Sequence, residues 1–104
     1  MSNEDRASPL EIDKIIHEPA RLQIMTQLYV VAEADFIYIM HQTGLTWGNL
    51  SSHMSKLEAA EYIEVKKEFV DKKPHTILKL TTRGREAFEK YRNAIDQVFK
   101  DLPD

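Results

Sequence analysis

Apolar side chains recur at helical spacing through the first half of the chain, and this spacing predicts four helices. The first is a short segment whose apolar face consists of Leu10, Ile12, Ile15 and Ile16. The second begins at Pro19, because proline is tolerated in the first turn of a helix, and it continues to Val31. Asp35 is a suitable N-cap for the third helix, and Gly44 is a suitable residue for its end.

The fourth predicted helix runs from Trp47 to Ala60, after the N-cap residue Thr46, and it has two distinct faces. One face is apolar and consists of Leu50, Met54 and Leu57. The other face is a continuous polar stripe with the spacing i, i+3, i+4, i+7, formed by Asn49, Ser52, His53 and Lys56. A helix of this kind packs one side on a core and leaves the other side free for a partner.

The periodicity changes after residue 61. The β-branched and aromatic segments Tyr62–Phe69 and Thr76–Leu80 predict two antiparallel strands, with a turn at Val70–Pro74 between them. A long last helix over about residues 81–102 has an apolar side formed by Phe88, Tyr91, Ile95, Val98, Phe99 and Leu102. The predicted fold class is therefore mainly α (α+β): four helices, a β-hairpin and a long C-terminal helix.

The length and composition favour one small globular domain. The chain has 104 residues, of which 42% are hydrophobic and 30% charged, so it is expected to form a single domain over residues 10–104 after a flexible segment over residues 1–9. No apolar run approaches the length of about 20 residues that spans a bilayer, and the polar N-terminus does not resemble a secretory signal. We therefore expect a cytoplasmic protein with no membrane partner.

The residue types present argue against an enzyme or a cofactor protein. The chain has no Cys, which excludes disulfides, thiolate nucleophiles and Cys-ligated zinc. Its 3 Gly residues form no glycine-rich phosphate loop, and its 4 His residues include no pair at metal-binding helical spacing. We expect no catalytic residue, no metal site and no cofactor.

Charge is unevenly distributed, although the net charge is only -3. Residues 1–45 have three basic and seven acidic side chains, a net −4, and residues 86–104 have three basic and five acidic ones, a net −2. Residues 46–85 have eight basic and five acidic side chains, a net +3. Because local potential steers a polyanion more than net charge does, the basic middle is a candidate nucleic-acid surface.

Two helices joined by the tight link Thr43–Leu45, followed by a basic hairpin, describe a helix-turn-helix with a wing. The segments Thr46–Glu58, Leu80–Arg85 and His17–Ile24 resemble the recognition helix, the strand-to-helix joint and the start of small winged helix transcriptional regulators of the MarR and ArsR types. The resemblance implies a dimer that binds pseudo-palindromic DNA. The chain departs from the pattern at Glu61, where these families usually have Gly, and it lacks the Cys residues of ArsR-type metal sites.

Groove geometry then suggests DNA-contacting residues. A recognition helix enters the major groove with its first turns against base edges, whereas hydroxyl and cationic side chains bind phosphates. The candidates on the helix are Thr46, Trp47, Asn49, Ser51, Ser52, His53 and Lys56. The candidates on the wing, for backbone or minor-groove contact, are Lys66, Lys67, Lys72, Lys73 and His75.

The apolar ends of the chain suggest a homodimer. The stripe on the last helix is wider than one small domain needs, and with the first segment it is a candidate interface formed by Leu10, Ile12, Ile15, Ile16, Phe88, Tyr91, Ile95, Val98, Phe99 and Leu102. Each of these patterns also has an ordinary structural explanation: an inert solvated helix face, a soluble hairpin tip, or a last helix folded over its own core.

Two other functions stay open. A winged helix that binds proteins instead of DNA would fit the acidic net charge. A small-molecule effector is possible but not indicated, with a pocket lined by Tyr29, Tyr38, His41 and Tyr91.

Overall fold

The computed structural model describes residues 11–103, which form four helices and a three-stranded sheet. The elements, in chain order, are α1 (Pro19–Val31), β1 (Glu33–Asp35), α2 (Phe36–Thr43), α3 (Trp47–Ala59), β2 (Ile63–Val70), β3 (Lys73–Leu80) and α4 (Thr82–Lys100). The predicted winged helix fold of mixed helices and strands is confirmed. Within this part of the chain, no helix combines the length and hydropathy that a bilayer span requires.

The sheet contains one strand that the sequence pattern did not predict. Its antiparallel order is β1-β3-β2, and the three residues of β1 pair with Ile77, Leu78 and Lys79. Three residues are too few to show an alternating pattern in the sequence. Ala32 turns the chain into β1 with a φ of 72°, and its carbonyl accepts a 2.8 Å hydrogen bond from the Leu80 amide.

The predicted first helix is wrong. From residue 11 to residue 18 the chain forms turns and no helix. The side chain of Asp13 accepts hydrogen bonds from the amides of Ile15 (2.8 Å) and Ile16 (3.1 Å), and such a local bond competes with helix formation. Leu10 and the predicted flexible segment 1–9 lie outside the described residues.

Asp13 also ties this N-terminal segment to the start of the wing. Its second oxygen accepts a 2.5 Å hydrogen bond from the hydroxyl of Tyr62. Burial, followed by the hydrogen bond and the negative charge of Asp13, raises the pKa of Tyr62 to about 12. The hydroxyl therefore keeps its proton at neutral pH and remains a donor to the carboxylate.

The core lies where α1, α2, α3 and the sheet meet. Its fully buried large side chains are Ile16, Ile24, Met25, Leu28, Ile39, Leu50, Leu57, Ile63 and Leu78. Phe88 and Tyr91 of α4 complete it, with 8% and 7% of their surfaces exposed. The predicted dimer interface is therefore corrected at three positions. The side chains of Ile16, Phe88 and Tyr91 belong to the core of the chain itself and are not exposed on its surface.

Gly84 allows α4 to lie directly against the backbone that precedes β2. A Cβ atom at this position would lie 2.1 Å from the carbonyl oxygen of Tyr62. The neighbouring Thr81 hydroxyl donates to the carbonyl of Glu61 (2.7 Å) and accepts from the Gly84 amide (2.9 Å). Glu61 itself has a φ of 65°, so a residue without glycine's freedom occupies the left-handed conformation there.

The two helical glycines provide a matched test of this packing. Gly84→Ala is expected to lower the free energy of unfolding by about 2–3 kcal/mol, because backbone must move to admit the methyl group. Gly48→Ala, where a Cβ would meet nothing within 4 Å, is expected to raise it by about 0.5–1 kcal/mol. Urea denaturation followed by circular dichroism measures both, and equal effects of the two substitutions would contradict this packing.

Candidate nucleic-acid interface

The link between α2 and α3 has the caps that a tight helix-turn-helix requires. Asp35 begins α2 by accepting a 2.7 Å hydrogen bond from the Ile37 amide. Gly44 ends α2 with a φ of 72°, which an L side chain rarely adopts. Thr46 begins α3 through a 3.2 Å hydrogen bond from the Asn49 amide to its side-chain oxygen. The predicted caps are confirmed, and they fix where α3 starts.

The outward face of α3 is polar, and its inward face is apolar. Leu50 and Leu57 are fully buried, whereas Asn49, Ser52 and Lys56 are exposed on the opposite side. These three side chains have the spacing i, i+3, i+7 and therefore form one stripe. Thr46 is also exposed at the N-terminus of the helix, and Ser51 is half-buried. The carbonyl of Ser51 accepts a 3.1 Å hydrogen bond from the hydroxyl of Ser55.

Trp47 combines packing with exposure. Its ring centroid lies 4.6 Å from that of Phe36, so the two side chains pack against each other. Nevertheless 62% of Trp47 is exposed, at the first residue of α3. The indole therefore covers one edge of the core and presents its remaining surface beside the polar stripe.

His53 does not belong to the free stripe. It is half-buried, and its Nδ1 atom lies 3.1 Å from the Nη1 atom of Arg21 in α1. Because a guanidinium only donates, His53 Nδ1 is the acceptor in this hydrogen bond. The prediction that His53 is exposed on the polar stripe is corrected, because its side chain is half-buried and hydrogen-bonded to Arg21 of the same chain.

Arg21 makes this contact part of a buried polar cluster. Only 9% of Arg21 is exposed, and its Nε atom donates a 2.6 Å hydrogen bond to the carbonyl of Ile15. Glu18 caps α1 by accepting a 2.8 Å bond from the Arg21 amide, and this bond lowers the pKa of the Glu18 carboxyl below its usual range. The cluster joins the N-terminal segment, α1 and α3.

The wing is a hairpin of two eight-residue strands with a two-residue turn. Asp71 and Lys72 occupy that turn with φ values of 52° and 68°, the signs that a type I′ turn requires. The predicted turn was too long, because β3 already begins at Lys73 and includes Pro74. Pro74 is opposite Phe69, next to the closing pair of the hairpin, where an amide hydrogen is not needed for pairing with β2.

The cationic side chains of the wing are free in solvent, with one exception. Lys66, Lys67, Lys72 and Lys73 are all exposed. His75 is instead half-buried, and its Nδ1 atom lies 2.6 Å from a carboxylate oxygen of Asp35. Burial acts to raise the pKa of Asp35, but the hydrogen bonds from His75 and the Ile37 amide outweigh it and leave this pKa below its usual range. His75 therefore anchors the wing to the start of α2.

The distal half of α4 is only partly covered by the rest of the described residues, since Ile95 packs against the core and Phe99 is largely exposed. Its side chains are not buried after Tyr91, and Phe99 and Leu102 are 65% and 59% exposed. Ile95 and Val98 are half-buried, and with Phe99 they have the helical spacing i, i+3, i+4, whereas Leu102 lies just beyond the end of α4. Ile12 and Ile15 are half-buried and pack against the core.

The four residues suggested for an effector pocket are not brought together. The hydroxyl of Tyr29 donates a 2.7 Å hydrogen bond to Glu89, and Tyr38 and His41 are exposed. Tyr91 lines a cavity of about 380 Å³ between the N-terminal segment and α4, and none of the other three does. In residues 11–103, no three His, Asp or Glu side chains are grouped to hold a metal ion.

Sequence reasoning missed two features of this surface. In the cluster of Glu18, Arg21 and His53, the contacts of His53 with the other two join residues 32 or more positions apart, and no local pattern indicates such contacts. Phe69 was assigned to a strand only, although 78% of it is exposed. The available signal for Phe69 was Lys67, which interrupts the apolar alternation after Ile63 and Val65 and so indicates that the strand has left the core before Phe69.

The position of His53 leads to a stability prediction. His53→Ala removes the acceptor for a buried guanidinium and is expected to lower the free energy of unfolding by about 1–3 kcal/mol. Asn49→Ala, on the exposed side of the same helix, is expected to change it by less than about 0.5 kcal/mol. Urea titrations of both variants measure this difference. A His53→Ala protein as stable as the wild type would show that the Arg21 contact does not hold α3.

Comparison with known proteins agrees with this geometry. A sequence model of the winged helix DNA-binding domain matches residues 20–99. An uncharacterized protein of Methanocaldococcus jannaschii is 36% identical over 89 residues, which are 86% of this chain and 97% of that protein. The solved structure of a transcriptional regulator homologue from Pyrococcus horikoshii OT3 is 30% identical, with a TM-score of 0.84 over 95% of this chain and 99% of that one.

A mutant of MarR from E. coli has the same fold at lower identity. The identity is 19% and the TM-score 0.69, over 95% of this chain and 72% of that one. The predicted resemblance to MarR-type regulators is thereby confirmed at the level of the fold. Because the family model covers most of the described residues, this chain belongs to the winged helix DNA-binding domain family.

Proposed function

We propose that the protein is a homodimeric transcriptional regulator that binds a pseudo-palindromic operator in double-stranded DNA. The observation that carries the proposal is the outward face of α3, where Asn49, Ser52 and Lys56 are exposed in one stripe with no apolar side chain between them. Occupation of a promoter by such a protein blocks or assists polymerase. Family membership and the basic wing support the same function.

The first turns of α3 read base edges in the major groove. Asn49 offers an amide that can bind adenine with two hydrogen bonds, and Ser52 offers a hydroxyl that can bind either kind of edge. The hydroxyl of Thr46 lies at the helix N-terminus, where a phosphate is favoured. Lys56 is near the other end of the stripe and binds the backbone as a cation.

The wing supplies affinity that does not depend on sequence. Lys66, Lys67, Lys72 and Lys73 release counterions when they bind phosphates, so their contribution falls as salt rises. Lys72 has a φ of 68°, a conformation that glycine would adopt at lower cost. A lysine in that position makes the turn less stable than a glycine would, but it adds a positive charge at the tip. This charge supports a role in binding DNA.

The distal half of α4 forms the dimer. Ile95, Val98 and Phe99 make an apolar stripe at the end of α4 that the rest of the described residues cover only in part, and Leu102 continues it just beyond the helix. With a two-fold axis through this stripe, we expect the two copies of α3 to read half-sites about one helical turn, 34–36 Å, apart. The symmetry of the operator then mirrors that of the protein.

Fluorescence anisotropy with labelled random-sequence duplex DNA tests the DNA-binding function. Affinity is expected to fall steeply between about 50 and 200 mM salt. The double variant Lys72→Ala with Lys73→Ala is expected to bind all sequences more weakly and to reduce the salt slope by about 2. The control Lys14→Ala with Lys90→Ala removes the same charge from exposed positions elsewhere and is expected to leave the slope unchanged.

Asn49→Ala separates sequence reading from backbone binding. It is expected to relax base preference at one operator position by about 1–3 kcal/mol while the salt slope stays the same. If the wild type binds no duplex at about 50 mM salt, the DNA-binding proposal fails, and a winged helix that binds a protein partner becomes the better account.

Sedimentation velocity tests the dimer. Phe99→Glu places a charge in the apolar stripe of α4, so we expect a folded monomer that has lost the cooperative binding of a palindromic site. Val30→Glu is the control, since Val30 is an apolar side chain, 78% exposed, on a different helix. A Phe99→Glu protein that sediments as the wild type does would rule out this interface.

A further inference from the structure

The tip of the wing has an apolar side chain that the fold does not use. Phe69 is 78% exposed near the end of β2, and its neighbour Val70 is 47% exposed. Pro74 is directly opposite Phe69 in β3. Phe69 and the proline opposite it form an exposed apolar patch on the hairpin tip, and such a patch is a candidate interaction site.

The register separates Phe69 from Val70. Alternation places Phe69 on the same face of the hairpin as Ile63 and Val65, which face the core, while Val70 is on the other face. The hairpin extends beyond Val65 by five residues, or roughly 17 Å at about 3.3 Å per residue. The ring of Phe69 therefore lies near the end of the projecting hairpin. It is on the same face of the hairpin as the residues that contact the core.

Charge around the ring selects the kind of partner. Lys67 precedes Phe69 on the same face, and Lys72 and Lys73 follow it through the turn, all exposed. Glu68 and Asp71 are the acidic residues of the tip, so residues 66–73 have four basic and two acidic side chains, a net +2. An apolar ring among cations is complementary to a polyanion that also offers apolar surface, and the stacked bases of a duplex are such a surface.

We propose that Phe69 is a wedge that enters the minor groove beside the operator half-site and opens one base step there. This inference rests on the proposed DNA-binding function and adds a residue and a DNA deformation to it. Minor-groove proteins insert Phe or Pro side chains between base pairs and bend the duplex toward the major groove. The 17 Å reach of the arm is about half of a 34–36 Å helical turn, the distance from one groove to the next.

Insertion of Phe69 would give the protein a preference for certain DNA base steps, and this preference does not depend on hydrogen bonds to bases. Pyrimidine–purine steps such as TA and CA unstack at the lowest cost, so they are favoured where Phe69 enters. Lys72 and Lys73 hold the adjacent phosphates, and their contribution is independent of sequence. Removal of the ring should therefore change bending and step preference without changing the number of ionic contacts.

The experiment compares Phe69→Thr with Val70→Thr. Both variants replace an exposed apolar side chain of β2 by a residue that favours strands, so the hairpin is retained. Each protein is titrated into a duplex of about 30 base pairs, selected from a random pool by the wild type and labelled with a donor and an acceptor dye at its two ends. Energy transfer reports bending, and anisotropy across a salt series reports affinity.

For Phe69→Thr we expect loss of the binding-induced rise in energy transfer, about tenfold weaker affinity and an unchanged salt slope. Selection repeated with this variant should lose the flanking pyrimidine–purine step and keep the half-sites. Val70→Thr should behave as the wild type. Equal bending by Phe69→Thr and the wild type, with normal salt-dependent binding by both, would overturn the wedge and leave the DNA-binding function intact. Absence of any binding by the wild type would overturn both.

Discussion

The placement of α3 depends on one buried cation, Arg21. Its guanidinium is bonded to the Ile15 carbonyl and to His53, so it joins the N-terminal segment, α1 and the helix that presents the polar stripe. A buried cation without acceptors would cost several kcal/mol, and this penalty makes the arrangement specific. The apolar contacts of Leu50 and Leu57 supply most of the stabilisation of α3, whereas Arg21 fixes its orientation on α1.

The parts of the fold that depend on local chemistry could be predicted from the sequence. Asp35, Gly44 and Thr46 satisfy backbone groups at helix ends within a few residues of themselves, and the helix-turn-helix follows from them. The strands of the wing were predicted from their β-branched and aromatic residues, and the polar face of α3 from helical spacing. Both strands are present in the structure, and the polar face agrees except at His53.

The elements that depend on distant partners could not be predicted. The strand Glu33–Asp35 exists because β3 is beside it, and the segment that precedes α1 is a turn because Asp13 bonds its own backbone and Tyr62. His53 satisfied the spacing of the exposed stripe, yet it turns toward α1 because Arg21 is there. Helical periodicity resolves positions to about 100° around the axis, which is too coarse to separate an exposed side chain from one at the edge of a contact.

Titration of duplex DNA into protein labelled with nitrogen-15, followed by amide chemical shifts, tests the central claim most directly, because it locates the bound surface residue by residue. We expect the shifts to concentrate in residues 46–56, which comprise the N-cap and most of α3, and in residues 66–73 of the wing, with little change in the distal half of α4. Shifts that concentrate on other surfaces, with α3 and the wing unperturbed, would contradict it.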